Sequence, residues 1–162
     1  EDFGIDVRER TDFAMVAVQG PQARELAAKV IPPSGVQQAL ALEPFFGIAA
    51  GDWFVARTGY TGEDGFEIFV PPNMADRVCQ ALLDAGRSAD VVPCGLAARD
   101  TLRLEAAMRL YGNDIDETTS VLEADLGWTI GWKKPSFIGH ERLREQKEKG
   151  VTRKLVGFEM RV

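Results

Sequence analysis

The sequence predicts an α+β fold with a mostly antiparallel sheet and helices packed against it. Three observations carry this. Short β-like apolar runs are separated by Gly/Pro turn signals, which favours hairpins over long crossovers. Stretches with helical periodicity fall between groups of strands and not after every strand. The resulting order is strand, helix, three strands, helix, strand, helix, then a strand–helix–strand tail. Segregated strands with intervening helices point to a ferredoxin-like arrangement. No repeat or low-complexity segment interrupts it. The expected division is an α+β body over 1–122 and the tail over 123–162.

The elements follow in order. Residues 1–10 are charge-rich with one short apolar pair, Ile5 and Val7, and read as the end of a strand or linker. The run from Phe13 to Val18 is the first strand; Gly20 stops it and Pro21 suits the first turn of a helix. Ala23, Leu26, Ala27 and Val30 at helical spacing predict that helix over 21–30, ending before Pro32 and Pro33. Two strands are expected at 45–49 and 53–58, joined by Ala50, Gly51 and Asp52 as a hairpin turn. A Gly-rich loop, 58–65, leads into the strand 66–70, which Pro71 and Pro72 terminate. An amphipathic helix covers 73–86, closed by Gly86. Val91, Val92 and Pro93 form a short strand, and a helix runs from about residue 96 to 110. After an irregular stretch, Trp128–Trp132 reads as a strand, 139–149 as a charged helix and 154–160 as a last strand.

Composition narrows the class. The chain has 162 residues, enough for one domain, or one and a fraction, with a real core. Hydrophobic residues are 45% and charged residues 27%, which excludes a disordered chain. A net charge of −6 without a basic patch argues against nucleic-acid binding and against an anionic membrane surface. No apolar run approaches the roughly 18–20 residues that span a bilayer. The chain opens on Glu1, Asp2, Phe3 and Gly4, with neither Met nor an apolar leader, so the expectation is a removed N-terminus whose targeting signal is unread. Cys79, Cys94 and His140 are too few and too scattered for a zinc site, and the two cysteines are expected as buried reduced thiols. His140, in a charged helix, is a poor member of a nucleophilic triad.

Four places could carry chemistry. The Gly-rich loop is neither a Walker loop nor a dinucleotide fingerprint, since a strand follows it. It is either a tight connection or a backbone that approaches a ligand, with Tyr60 and Thr61 as its polar positions. Glu67 lies mid-strand, sharing a face with Phe69 while Phe66, Ile68 and Val70 share the other. If Phe69 is buried, Glu67 needs hydrogen-bond donors, which a ligand with adjacent N–H groups could supply; otherwise it is a solvated face. Arg99 and Arg103 share a helix face. Arg99 sits near the N-terminus, where the dipole disfavours a cation, so either an anionic partner or pairing with Asp100 or Glu105 holds it. Trp128 and Trp132, four apart in a strand, would point the same way as core residues or as a stacking platform.

Three segments in order, Thr58–Glu67 (TGYTGEDGFE), Gly95–Glu105 (GLAARDTLRLE) and Leu110–Glu117 (LYGNDIDE), resemble the aminomethyltransferases of the glycine cleavage system, the T-proteins. Val18–Pro21 and the stretch from Trp128 agree in order and spacing. The resemblance implies a folate-binding α+β subdomain, with an essential aspartate of the family before residue 1 and a barrel-like domain after residue 162. No catalytic residue is therefore expected in this chain, and the chain alone is expected to be inactive. It further implies that tetrahydrofolate is the co-substrate, without a metal, and that the lipoylated H-protein is the partner. By motif position, Tyr60, Glu67, Arg99 and Trp128 match folate-contacting residues. Glu67 would hold the pterin N–H groups, Tyr60 and Trp128 would flank the ring or its linker, and Arg99 would fix Glu67 or a polar ligand edge. The compartment implied is the bacterial cytoplasm, or the mitochondrial matrix in a eukaryote. Folate-binding domains of dimethylglycine and sarcosine dehydrogenases or of demethylases, and non-catalytic folate binders, share parts of the pattern.

Overall fold

The computed structural model describes residues 4–160. The chain forms two compact units that part between Ala106 and Ala107, upstream of the 122/123 division expected from sequence.

The first unit is an open four-stranded antiparallel sheet covered by helices. Its strands are β1 (Ala14–Gln19), β2 (Gly47–Ala50), β3 (Trp53–Ala56) and β4 (Gly65–Val70), in the order β1-β4-β3-β2. The helices are α1 (Ala23–Ala27), α2 (Val36–Leu40), α3 (Ala75–Ala85) and α4 (Leu96–Glu105). β4 pairs antiparallel with both β1 and β3, so β1 and β3 run parallel with β4 between them. This strand arrangement resembles the ferredoxin-like expectation, except that the edge strand β2 intervenes between the helices and β3.

Alternation decides which face is dry. Phe66, Ile68 and Val70 on β4 and Val55 on β3 are fully buried, and Val18 of β1 lies opposite Phe66. Ala23 and Ala27 of α1 and Val78 and Leu82 of α3 close this face. Each such large apolar side chain contributes about 1.5–3 kcal/mol on burial. The opposite face carries Met15, Ala17, Phe54, Glu67 and Phe69, with Phe54 and Phe69 edge-to-face at 6.0 Å.

The β2–β3 hairpin turns at Gly51 and Asp52 as predicted, Gly51 supplying a φ of 67°. Several expectations need correction. The helix at Val36–Leu40 was not foreseen, because it is one turn with a single buried residue, Ala39. The 21–30 helix is regular only over Ala23–Ala27 and continues as tightened turns to Ile31. Among the described residues, Val91–Pro93 is extended but joins no ladder, and no strand pairs with the outer edge of β1. Helix α4 stops at Glu105, and Ala107 takes a left-handed φ of 57°. Of residues 1–10, those from Gly4 on are irregular, with Ile5 and Val7 exposed; the first three lie outside the described residues.

The second unit holds few regular elements: a bridge between Tyr111 and Ile115, a 3₁₀ turn at Gly127–Thr129 and α5 (His140–Lys149). The strand expected at 128–132 is this turn, closed by Thr129 N–H to Leu126 O and Ile130 N–H to Gly127 O. Gly127 at its start, Gly131 just after it and the left-handed Asp125 before it favour turning over extension. The strand expected at 154–160 is also absent. Leu155 N–H reaches Glu123 O at 2.8 Å, but Phe158 and Met160 are exposed and no neighbouring strand pairs with them among the described residues. A β-like apolar pattern without a partner edge does not make a strand.

Candidate functional site

The outer edge of β1, helix α3, the extended segment 91–94 and the start of α4 enclose a cleft of about 310 Å³ in the first unit. Tyr60, Thr61, Glu67 and Arg99 line it, with Leu82, Val91 and Leu102 among its apolar walls. The structure thus brings together three of the four residues singled out from sequence. Trp128 belongs to the second unit. It is 77% exposed and not part of a core. Trp132 is half-buried, with its indole N–H donating to Gly127 O at 3.1 Å and Lys147 4.2 Å above its ring.

Glu67 is half-buried, and so is Phe69 beside it on the same face. Its cross-strand neighbours are Ala17 on β1 and Ala56 on β3. Ala17 is exposed and lines the cleft while Ala56 is buried, so the room beside the carboxylate lies on the β1 side. Thr58 donates its hydroxyl to Glu67 Oε2. Oε1 receives no hydrogen bond from the described residues, so the carboxylate keeps acceptor capacity.

The Gly-rich loop is anchored at two places. Gln19 Nε2 donates to Thr58 O at 3.1 Å and to Phe66 O at 3.3 Å, and Thr61 Oγ1 donates to Gln19 Oε1 at 3.4 Å. The side chain passes close to Gly59: a Cβ there would lie 2.0 Å from Gln19 Oε1 and would displace the amide. At the far end Arg57 binds Asp64 through Nε at 2.9 Å and Nη2 at 2.8 Å, and Arg24 Nη1 adds a third contact at 3.2 Å. The hydrogen bond from Arg57, then that from Arg24, hold the Asp64 carboxyl below its ordinary range. Both arginines also donate to carbonyls near α2, Arg57 to Leu42 O at 2.8 Å and Arg24 to Leu40 O. The loop is therefore both a tight connection and a wall of the cleft.

Arg99 lies over the Tyr60 ring, 4.7 Å from its centroid. Asp100, which sequence offered as a partner for Arg99, instead accepts from Arg103 Nε at 2.7 Å, and Arg103 is buried. Arg99 and Arg103 thus differ sharply in exposure despite their spacing.

The model of the GCVT N-terminal domain family matches residues 2–134. The chain belongs to this family. A solved structure, the glycine cleavage system aminomethyltransferase T from Bartonella henselae, is similar at 39% identity with a TM-score of 0.74. The likeness covers 85% of this chain and 37% of that one, so the chain spans well under half of that relative's length. The resemblance carried by Thr58–Glu67, Gly95–Glu105 and Leu110–Glu117 therefore holds at the level of family and fold.

In this GCVT N-terminal domain, sequence reasoning overlooked Gln19, Thr58, Arg57 and Asp64. The signal for Gln19 was present, as a polar residue closing an apolar strand just before Gly20. The cysteines also need correction: Cys79 and Cys94 are exposed, and both line the cleft. Among the described residues no cluster of three His, Cys, Asp or Glu side chains could hold a metal ion. No helix among them is long and apolar enough to cross a membrane.

Proposed function

We propose that this chain forms the pterin-holding part of the tetrahydrofolate site of a glycine cleavage aminomethyltransferase. Such an enzyme takes the aminomethyl group from the lipoyl arm of the H-protein, releases ammonia and delivers the one-carbon unit to tetrahydrofolate. The observation that carries the reading is Glu67: a half-buried carboxylate beside two alanines, held on one oxygen by Thr58 and receiving no hydrogen bond on the other from the described residues.

A pterin edge presents an amino group and a ring N–H side by side, which suits a carboxylate acceptor through charge-assisted bonds. The apolar side chains of Leu82, Val91 and Leu102 fit the ring's faces, while Tyr60 and Arg99 suit its polar rim or linker. Tetrahydrofolate supplies the nitrogens that receive the one-carbon unit. Glu67 orients that ring, and the apolar wall excludes water from its faces. Trp128, an exposed indole of the second unit, offers a stacking surface for the ring or its linker.

Calorimetric titration with 5-formyltetrahydrofolate, beside a Glu67→Ala control, tests the reading. Saturable binding that the control loses is expected. Equal binding by both, or no binding by the unaltered chain, overturns it.

A further inference from the structure

Gln19 closes β1 opposite Gly65 in the register, and its side chain is half-buried. It touches the cleft, yet the proposed recognition of a pterin gives it no task. Its hydrogen bonds reach three points around Glu67. One N–H donation goes to the carbonyl of Thr58, the residue whose hydroxyl binds the Glu67 carboxylate. Another goes to the carbonyl of Phe66, the residue before Glu67. Its oxygen accepts from Thr61 in the cleft wall.

We propose that Gln19 is a positioning residue that aims the Glu67 carboxylate through Thr58, and so sets affinity for the N–H edge of a pterin. This rests on the folate reading of the cleft. The chemistry singles out glutamine. Two donors and one acceptor are used together, which leucine lacks entirely and glutamate supplies only in part. The amide lies against Gly59, where a Cβ would come within 2.0 Å of its oxygen; at Gly65 the tighter neighbour is the β1 backbone, Val18 O at 2.2 Å, with the amide nitrogen at 2.9 Å. A side chain bonded to the backbone of Thr58, whose hydroxyl holds the Glu67 carboxylate, and to the backbone of Phe66, which precedes Glu67, fixes geometry where small misplacements weaken binding strongly.

The test combines Gln19→Leu, Thr58→Val, Thr58→Ser and the double variant Gln19→Leu with Thr58→Val. The first readout is the ¹³C resonance of the Glu67 carboxyl in the ligand-free chain, which a purely structural role would not move. Thr58→Val is expected to shift it and Thr58→Ser to restore it. Gln19→Leu should shift it the same way, and the double variant no further than Thr58→Val. The second readout is affinity for 5-formyltetrahydrofolate, expected to fall about tenfold in Gln19→Leu and in Thr58→Val without multiplying in the double variant. A carboxyl resonance unmoved by Gln19→Leu, or losses that multiply, overturns the role of Gln19. Should Gln19→Leu not fold, Gln19→Glu, of the same size, is read against the same criteria. If Glu67→Ala binds normally, the folate reading fails, while the resonance still judges whether Gln19 governs Glu67.

Discussion

The guanidinium carbon of Arg99 lies 4.7 Å from the centroid of the Tyr60 ring, joining helix α4 to the Gly-rich loop beside the cleft. With Asp100 engaged by Arg103, this ring contact is what the fold offers Arg99 near a helix N-terminus. At an exposed site a cation–π pair is worth about 0.5–1 kcal/mol. Arg99→Ala and Tyr60→Leu should therefore couple by that amount in a double-mutant cycle on urea unfolding. Strictly additive losses would show that the contact carries no energy.

Asp64 makes stability depend on pH. Its carboxyl is held below the ordinary value of 3.8 by the hydrogen bond from Arg57 and then by that from Arg24. A depressed folded-state pKa favours the folded chain above the unfolded value, and that contribution fades as pH falls through the folded pKa. Unfolding free energy should therefore drop as pH is lowered below about 3.8. Asp64→Asn should lose about 1 kcal/mol at neutral pH, a modest figure because the carboxylate is half exposed. It should then show a shallower acid slope than the unaltered chain. Parallel slopes would remove Asp64 from the acid response.

Much of this was legible because it follows a short period. The alternation of Phe66, Ile68 and Val70 against Glu67 and Phe69 fixed the dry face of β4, and the hairpin at Gly51 announced itself. What stayed hidden depended on partners distant in sequence. Gln19 meets Thr58, and Arg24 meets Asp64, only after β1 and β4 pair. The apolar pattern of residues 154–160 misled for the same reason: alternation describes a strand's faces but not whether an edge exists to receive it. Trp128 misled because a five-residue window that holds Gly131 and follows Gly127 carries as much turn signal as strand signal.

Gly65→Ala separates crowding from backbone strain. A Cβ there would lie 2.2 Å from Val18 O and 2.9 Å from Gln19 Cα, both backbone atoms of a paired strand. Neither yields without breaking the ladder, so the loss should reach about 3 kcal/mol, the upper end for overpacking. Gly51→Ala meets nothing within 4 Å but has φ +67°, and should lose only about 1–2 kcal/mol for the left-handed backbone. Gly157→Ala, with open space and no such φ, should be neutral within about 0.5 kcal/mol. Thermal unfolding of the three gives the order; a neutral Gly65→Ala would show that β1 and β4 approach less closely than described.

The two exposed cysteines report on the cleft directly. Val78 and Leu82 are the buried residues of α3, so Cys79, one position on from Val78, is turned out of the core. Cys94 sits in the extended segment before α4, its thiol 3.7 Å from Val92 O. Both should react with an aromatic disulfide reagent in the native chain at rates close to those in denaturant, with Cys79→Ser and Cys94→Ser assigning each phase. Because both line the same cleft as Glu67, saturating 5-formyltetrahydrofolate should slow both phases in the unaltered chain and neither in Glu67→Ala. Reaction that begins only on unfolding would restore the buried assignment. Protection that survives in Glu67→Ala would mean that the ligand occupies the cleft without using that carboxylate.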